Sequence, residues 1–299
     1  MPKPTLACSP PVLAAERPGA ALARAGVRPR KSRGQNFLVQ ARVAERIVAH
    51  AALAPGDVVI EIGPGLGILS DSAVRSPLAR LVLVELDARL ATALRTRFAP
   101  DSRVTVINQD FLRVDLAELA DGATVKVLGN LPFNVAAAIL ERLCGSSRRV
   151  ERMVLMFQRE VADRLRARPG DREHGALSVF TALYWEIIEH FRVPAGNFHP
   201  RPKVDATVLV LVPRASPAFA PAEEQAVLAT VRAAFAAPRK TIRNSLAGGV
   251  PLPPAAAERA LAQAAIAPLA RPATLTVEDF VRLARVLYPA TPRPEIRDA

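Results

Sequence analysis

From residue 39 to residue 212 short apolar runs alternate with stretches of helical spacing, a pattern that predicts an α/β domain built on a parallel sheet. Val39 to Ala52 repeats its apolar positions at the helical period, whereas Asp57 to Ile62 and Leu81 to Val84 are β-branched or Leu-rich runs that read as buried strands. A helix at Ala88 to Phe98 leads to a strand at Val104 to Asn108, and Val125 to Leu128 supplies a fourth strand. Val135 to Leu143 then reads as helix, Met153 to Phe157 as strand, and Arg159 to Arg168 as a basic amphipathic helix. Leu177 to Glu186 reads as helix, Glu189 to Val193 as strand, and Ala206 to Val212 as a last, strongly apolar strand. After Pro213 the pattern changes to helices separated by Pro and Gly, at Ala222 to Ala236, Thr241 to Ala247, Ala255 to Ala265 and Val277 to Leu287. Thr276 stands as N-cap of the last, with Asp279 at its third position. Residues 1–27 carry Pro2, Pro4, Pro10, Pro11, Pro18 and Gly19 without apolar periodicity and read as a disordered leader. The expected segments are therefore the leader 1–27, the α/β domain 28–212 and a small all-helical domain 213–299, without an internal repeat.

Composition narrows the class. Half of the 299 residues are hydrophobic, enough for two cores, and no stretch approaches the roughly 20 apolar residues that span a bilayer. The two cysteines, Cys8 and Cys144, lie far apart, so neither a disulfide framework nor a zinc cluster can be built, and a reducing cytoplasm fits. The N-terminus lacks the apolar core of a secretory signal, while its Arg-rich, acid-poor character leaves an organellar-transit reading open. A net charge of +12 points to a polyanionic partner. That charge is uneven: residues 1–33 hold seven basic groups against one acid, and residues 34–212 hold 22 against 20. Arginine dominates; its planar bidentate pairing suits phosphate, although an excess of Ala, Arg and Pro equally suits a GC-rich genome.

Val58 to Ile62 runs directly into Gly63-Pro64-Gly65-Leu66-Gly67, with a helix beginning near Ile68. Glycines here, Gly63 and Gly65 above all, let the backbone turn sharply and approach a ligand that a Cβ would exclude. The spacing is neither the dinucleotide fingerprint nor a P-loop. Roughly 20 residues on, Glu85 closes the second strand, where a carboxylate can accept from both hydroxyls of a ribose. Asp87 is the alternative ribose partner, but Glu85 ends the apolar run directly. Asp110, with Phe111 beside it, closes the third strand and is placed for an exocyclic adenine amine. Two strand-end carboxylates without a phosphate signature suit an adenosine ligand such as S-adenosylmethionine.

The fourth strand ends in Gly129-Asn130-Leu131-Pro132-Phe133-Asn134. Such a tetrad, Asn130 to Phe133, suits methylation of a planar amine. The amine is a poor nucleophile because its lone pair is delocalised; acceptors for its two hydrogens, the Asn130 side-chain oxygen and a main-chain carbonyl near Leu131, favour the tetrahedral nitrogen that attacks a methyl group. Pro132 fixes the turn and Phe133 can stack on an extruded base.

With these motifs stand Gly-Gln-Asn-Phe-Leu (34–38), Glu-Ile-Gly-Pro-Gly-Leu-Gly (61–67), Phe-Gln-Arg-Glu-Val-Ala-Asp-Arg-Leu (157–165), Phe-His-Pro-Arg-Pro-Lys-Val-Asp (198–205) and Arg-Lys-Thr-Ile-Arg-Asn-Ser-Leu (239–246). In this order and spacing the chain resembles the adenine N6,N6-dimethyltransferases of ribosomal RNA, most closely the small-subunit branch, over about residues 28–290. The resemblance implies a Rossmann-like S-adenosylmethionine-dependent methyltransferase domain with a small C-terminal all-helical domain. It further implies that Asn36, Leu38, Gly63, Glu85, Asp110 and Asn130 contact the cofactor. The implied substrate is a pair of adjacent adenosines in the terminal hairpin loop of small-subunit rRNA in an assembling subunit, each methylated twice. A monomer without metal or membrane attachment is expected. Two rivals stand beside this reading: a large-subunit rRNA methyltransferase of macrolide resistance, and a mainly non-catalytic rRNA-binding assembly factor. Leu131, the long helical tail and Arg-Lys-Thr-Ile-Arg-Asn argue against the first, and the intact cofactor positions against the second.

The chain departs from the family where Phe133 replaces a common Tyr, which keeps the stacking face and loses the hydroxyl, and at His174, which reads as a loop residue rather than a base. Candidate RNA contacts are Arg30, Lys31 and Arg33 ahead of the Gly-Gln-Asn motif, Arg201 and Lys203 in a Pro-stiffened loop, and Arg239, Lys240 and Arg243 at the start of a helix.

Overall fold

The computed structural model describes Ala20, Ala23, Gly26 and residues 36–131, 135–249 and 253–289. All but three positions of the expected leader, the basic run Arg30, Lys31 and Arg33, and Pro132 and Phe133 of the tetrad lie outside the described residues.

The first compact unit comprises residues up to 162 together with 187–213. It opens with β1 (Phe37–Leu38) and α1 (Ala41–His50), then β2 (Val58–Ile62), α2 (Ile68–Ala73), β3 (Arg80–Glu85), α3 (Ala88–Phe98) and β4 (Val104–Asn108). A short helix α4 (Leu116–Ala120) follows, then β5 (Val125–Asn130), α5 (Ala136–Cys144), β6 (Val150–Gln158), and, after residues of the second unit, β7 (Trp185–Val193), β8 (Phe198–His199) and β9 (Ala206–Pro213). Seven strands form one sheet in the order β4-β3-β2-β5-β6-β9-β7. Strands β2 to β6 run parallel, and β9 lies antiparallel on β6 with Met156 opposite Val208. The chain winds outward from β2 to β4 and then resumes at β5 on the other side of β2. That reversal opens a crevice at the carboxyl ends of β2 and β5, the place where open α/β sheets bind ligands.

Burial follows position in the sheet. The central β2, β3 and β5 are covered on both faces, and Ile60, Leu81, Leu83 and Leu128 are fully buried. Each such side chain contributes about 1.5–3 kcal/mol. β4, at the edge, is only half-covered. The apolar run Ala206 to Val212 is explained by its insertion between β6 and β7 rather than at an edge. α1 presents Ala44, Ile47 and Val48 to the core at spacings of three and four, and α3 starts on Asp87, whose side chain accepts from the Arg89 N–H at 3.0 Å.

The second unit contains residues 163–186 and 214–289, so compactness divides the chain differently from the expected boundary at 212. The second half of α6 (Arg159–Arg166) and all of α7 (Ala176–Tyr184) belong with α8 (Glu224–Ala234), α9 (Ile242–Gly249), α10 (Pro254–Gln263) and α11 (Val277–Leu287). The reason lies in tertiary contacts that local periodicity does not reveal. Tyr184 donates to Glu224 at 2.6 Å, Arg232 lies over the Phe180 ring, and the Ala273 carbonyl accepts from the Gly170 N–H and meets Nδ1 of His174. His174 is thus a buried loop residue pinned to backbone, its pKa lowered by burial. The expected helix through Glu186 ends at Tyr184, and Trp185 already belongs to β7. Thr276 and Asp279 form a reciprocal capping box at the start of α11.

Candidate active site

The crevice at the carboxyl ends of β2 and β5 is a partly open pocket. Its walls include Asn36, Leu38, Gly63, Gly65, Glu85, Asn130 and Leu131, so the structure brings together most of the expected cofactor positions and the first half of the tetrad. Phe37, Pro64, Leu66, Ile68, Leu69 and Leu90 complete an apolar lining.

The loop after β2 needs glycine for steric reasons. Gly65 has φ +57°, and a Cβ there would sit 2.9 Å from the Phe37 ring; Gly67 has φ +78°, and its Cβ would meet Leu94 at 2.9 Å. β1 therefore rests directly on the loop. Arg97 of α3 fastens the loop from the other side, donating to the Leu66 carbonyl at 2.9 Å while pairing with Asp71.

Two carboxylates line the crevice. Glu85 accepts from the Gly65 N–H at 3.0 Å and the Asp87 N–H at 2.8 Å, and burial raises its pKa against the pull of those donors. Glu61, one residue position from the end of β2, is almost wholly buried and accepts from the Ser70 hydroxyl at 2.6 Å. Burial pushes its carboxyl up to about 8, opposed by Ser70 and reinforced by the nearby Asp71 and Glu85. Glu61 was not among the expected site residues. Its signal was a lone acid inside the otherwise apolar run Val58 to Ile62. Among the described residues no Lys or Arg lines the crevice.

Asn130 ends β5, and its side-chain Nδ2 donates to the main-chain carbonyl of Asn36 at 3.0 Å. Asn36 immediately precedes β1, which pairs antiparallel with β8, Phe37 opposite His199 and Leu38 opposite Phe198. The Val39 N–H extends the pairing to the Asn197 carbonyl at 2.9 Å. Two distant motifs thus meet in a two-stranded ribbon over the crevice.

Asp110 and Phe111 are not in the crevice wall. Asp110 instead caps the 3-10 turn Phe111–Arg113, accepting from the Leu112 N–H at 3.0 Å, and Phe111 is buried. Asp87, the alternative to Glu85, caps α3 and is also outside the wall. Arg201 and Lys203 are exposed beyond β8, in a loop whose base is tied by Asp205 to the Ala195 N–H at 2.8 Å and to Arg192. Arg239 and Lys240 are exposed before α9, whereas Arg243 is half-buried and bound to Glu258 at 2.8 Å. Part of the charge expected of Arg243 is therefore neutralised within the protein. Among the described residues no cluster of three or more His, Cys, Asp or Glu is arranged to hold a metal, and no helix is long and apolar enough to cross a membrane.

A family model described as ribosomal RNA adenine dimethylase matches residues 26–288. Ribosomal RNA small subunit methyltransferase A of Geobacter metallireducens is 40% identical over 266 residues, covering 88% of this chain and 96% of that protein. The protein of the same name from Methylococcus capsulatus is 42% identical over 261 residues, covering 87% and 98%. Among solved structures, the 23S rRNA methyltransferase ErmE is similar with a TM-score of 0.63 at 29% identity, over 84% of this chain and 99% of that one. A dimethyladenosine transferase from Plasmodium falciparum shares the fold, with a TM-score of 0.70 at 20% identity over 83% and 95%. The glycine loop, the strand-end acids and the Asn130 amide thus sit in a framework matched along nearly its whole described length, and the chain belongs to the ribosomal RNA adenine dimethylase family.

Proposed function

We propose that this rRNA adenine dimethyltransferase moves methyl groups from S-adenosylmethionine to the N6 amines of two adjacent adenosines in the 3′-terminal hairpin loop of small-subunit rRNA, within an assembling subunit. The observation that carries the reading is the Asn130 amide at a crevice whose described lining includes Glu61 and Glu85 and no basic side chain. Such a lining suits a cation that carries a sulfonium and an ammonium, and it disfavours the pyrophosphate of a dinucleotide.

When bound, S-adenosylmethionine supplies an electrophilic methyl group on a good leaving group. Gly63 and Gly65 let the backbone lie close to it, Asn36 and Leu38 wall it in, and Glu85 accepts from its ribose hydroxyls. Asp110 and Phe111 are assigned to the adenine end by family resemblance. At the substrate amine, Asn130 Oδ1 and a main-chain carbonyl beside Leu131 bind the two hydrogens and favour a pyramidal nitrogen. Family resemblance assigns Pro132 to the turn and Phe133 to stacking on the extruded base. No strong general base is needed, because the alkylated nitrogen is acidic and can lose its proton to water. Arg30, Lys31, Arg33, Arg201, Lys203, Arg239 and Lys240 meet RNA phosphates, with Arg243 contributing less.

The test is transfer of labelled methyl groups to small subunits that lack the modification, with mass spectrometry of the 3′ rRNA fragment. Dimethylation of two neighbouring adenosines is expected. Transfer to naked large-subunit rRNA with none to small subunits would overturn the assignment and favour the activity named for ErmE.

A further inference from the structure

An asparagine can serve the substrate amine only if its oxygen, not its NH2, faces that amine, and the two ends of the group have nearly the same shape. Here the ambiguity is removed by a fixed neighbour. The main-chain carbonyl of Asn36 can only accept, so the atom of Asn130 that meets it at 3.0 Å must be Nδ2. Turning the amide over would set two oxygens against each other at that distance. Among the described residues no donor occupies Oδ1, which leaves it as the acceptor that Asn130 offers to the crevice it lines.

The Asn36 carbonyl is itself held. Phe37 packs against Gly65 so closely that a Cβ would collide with the ring, and β1 is bonded to β8 through Leu38 and Phe198 and onward to Asn197. We infer that the β1–β8 ribbon is the positioning element for methyl transfer, its Asn36 carbonyl latching the Asn130 amide with Oδ1 toward the substrate amine. This rests on the reading of Asn130 as acceptor for the amine. Asn36 is accordingly a positioning residue, acting through its backbone carbonyl.

The decisive variant is Asn130→Asp, which keeps the shape and the acceptors and loses the donor. A bare acceptor role predicts a carboxylate at least as good as the amide at every pH. A latch predicts the opposite at neutral pH, because a carboxylate oxygen faces the Asn36 carbonyl and the group turns away. Turnover should fall about 100-fold with the KM for the methyl donor changed less than about three-fold, the pattern of an interaction made in the transition state. Acidification should recover activity relative to wild type, since a protonated carboxyl can again donate to Asn36 while its other oxygen faces the crevice. Wild-type turnover at neutral pH, or a deficit whose ratio to wild type is independent of pH, would overturn the inference.

A second measurement needs no substrate and reads the wild-type chain. Nitrogen-15 NMR of the full wild-type chain, with the Nδ2 protons located by labelling of asparagine and by the Asn130→Ser spectrum where that variant folds, should show one of them exchanging with water about ten-fold more slowly than those of exposed Asn244. Exchange as fast as Asn244 would exclude the latch. If the slow proton is present while small subunits accept no methyl group, the assigned substrate fails and the latch stands.

Discussion

Glu61 shows how one side chain can make the stability of the molecule depend on pH. Burial holds its carboxyl at about 8 against an ordinary 4.5, so in the folded chain it stays protonated through neutrality. The unfolded chain gives up that proton near 4.5, and above that pH unfolding therefore releases it. The contribution of Glu61 is fully present below pH 4.5, declines as pH rises, and is lost once the folded carboxyl ionises near 8, a change on the order of a few kcal/mol. Glu61→Gln can still accept from Ser70 and carries no titration. Melting curves should show its stability rising relative to wild type between pH 5 and about 8. A cation bound in the crevice favours the ionised form, so binding of S-adenosylmethionine near pH 7 should release a fraction of a proton. Calorimetry in buffers of different ionisation heat measures this release, and Glu61→Gln should reduce it. The position of Glu85 at the carboxyl end of β3 was legible from the apolar run that precedes it. Glu61 was equally visible in the chain, yet a pattern of strands and turns has no means of telling a buried acid with a task from one merely tolerated. Asp110 was legible as a strand-end acid, but its engagement with the turn it caps depends on backbone geometry that spacing does not encode.

Among the elements, those that complete an apolar period were legible and those that do not were missed. α3, β4 and α11 fall where their periodicity places them, because each carries enough apolar positions to define a face. β1 and β8 have two residues each, too few for any period, and each is a strand only because it meets the other across about 160 residues of chain. α4 was missed although Asp115 caps it, its five residues being shorter than a readable repeat. The glycine loop and the ribbon are mechanically joined, so Gly65→Ala should cost about 1–2 kcal/mol in backbone strain and also displace Phe37. The expected outcome is weaker cofactor binding by calorimetry together with a lowered melting temperature. Thr276→Ala removes only a cap of α11; it should cost about 1 kcal/mol and leave cofactor affinity unchanged, which melting curves and calorimetry can separate.

For the whole molecule, the division into two units was half legible. The change from alternating elements to helices after Pro213 is plain in the chain, but residues 163–186 lie inside the alternating region and pack with residues that come after it. Only tertiary contacts such as Tyr184 with Glu224 reveal this. The net charge of +12 is likewise a sum whose parts differ in kind. Arg239 and Lys240 are exposed, whereas Arg243 is tied to Glu258. Replacing Arg201 and Lys203 together with alanine should weaken RNA binding across sequences and lower the slope of log affinity against log salt by about two, whereas Arg243→Ala should change it by less than one. The β1–β8 ribbon also has a consequence in time. A chain emerging from the ribosome has made β2 through β6, and with them the glycine loop and Asn130, some forty residues before Phe198 exists to pair with β1. Until then the Asn36 carbonyl has no strand to hold it in register. If the latch is needed for transfer, competence should arrive late in synthesis, no earlier than the emergence of β8.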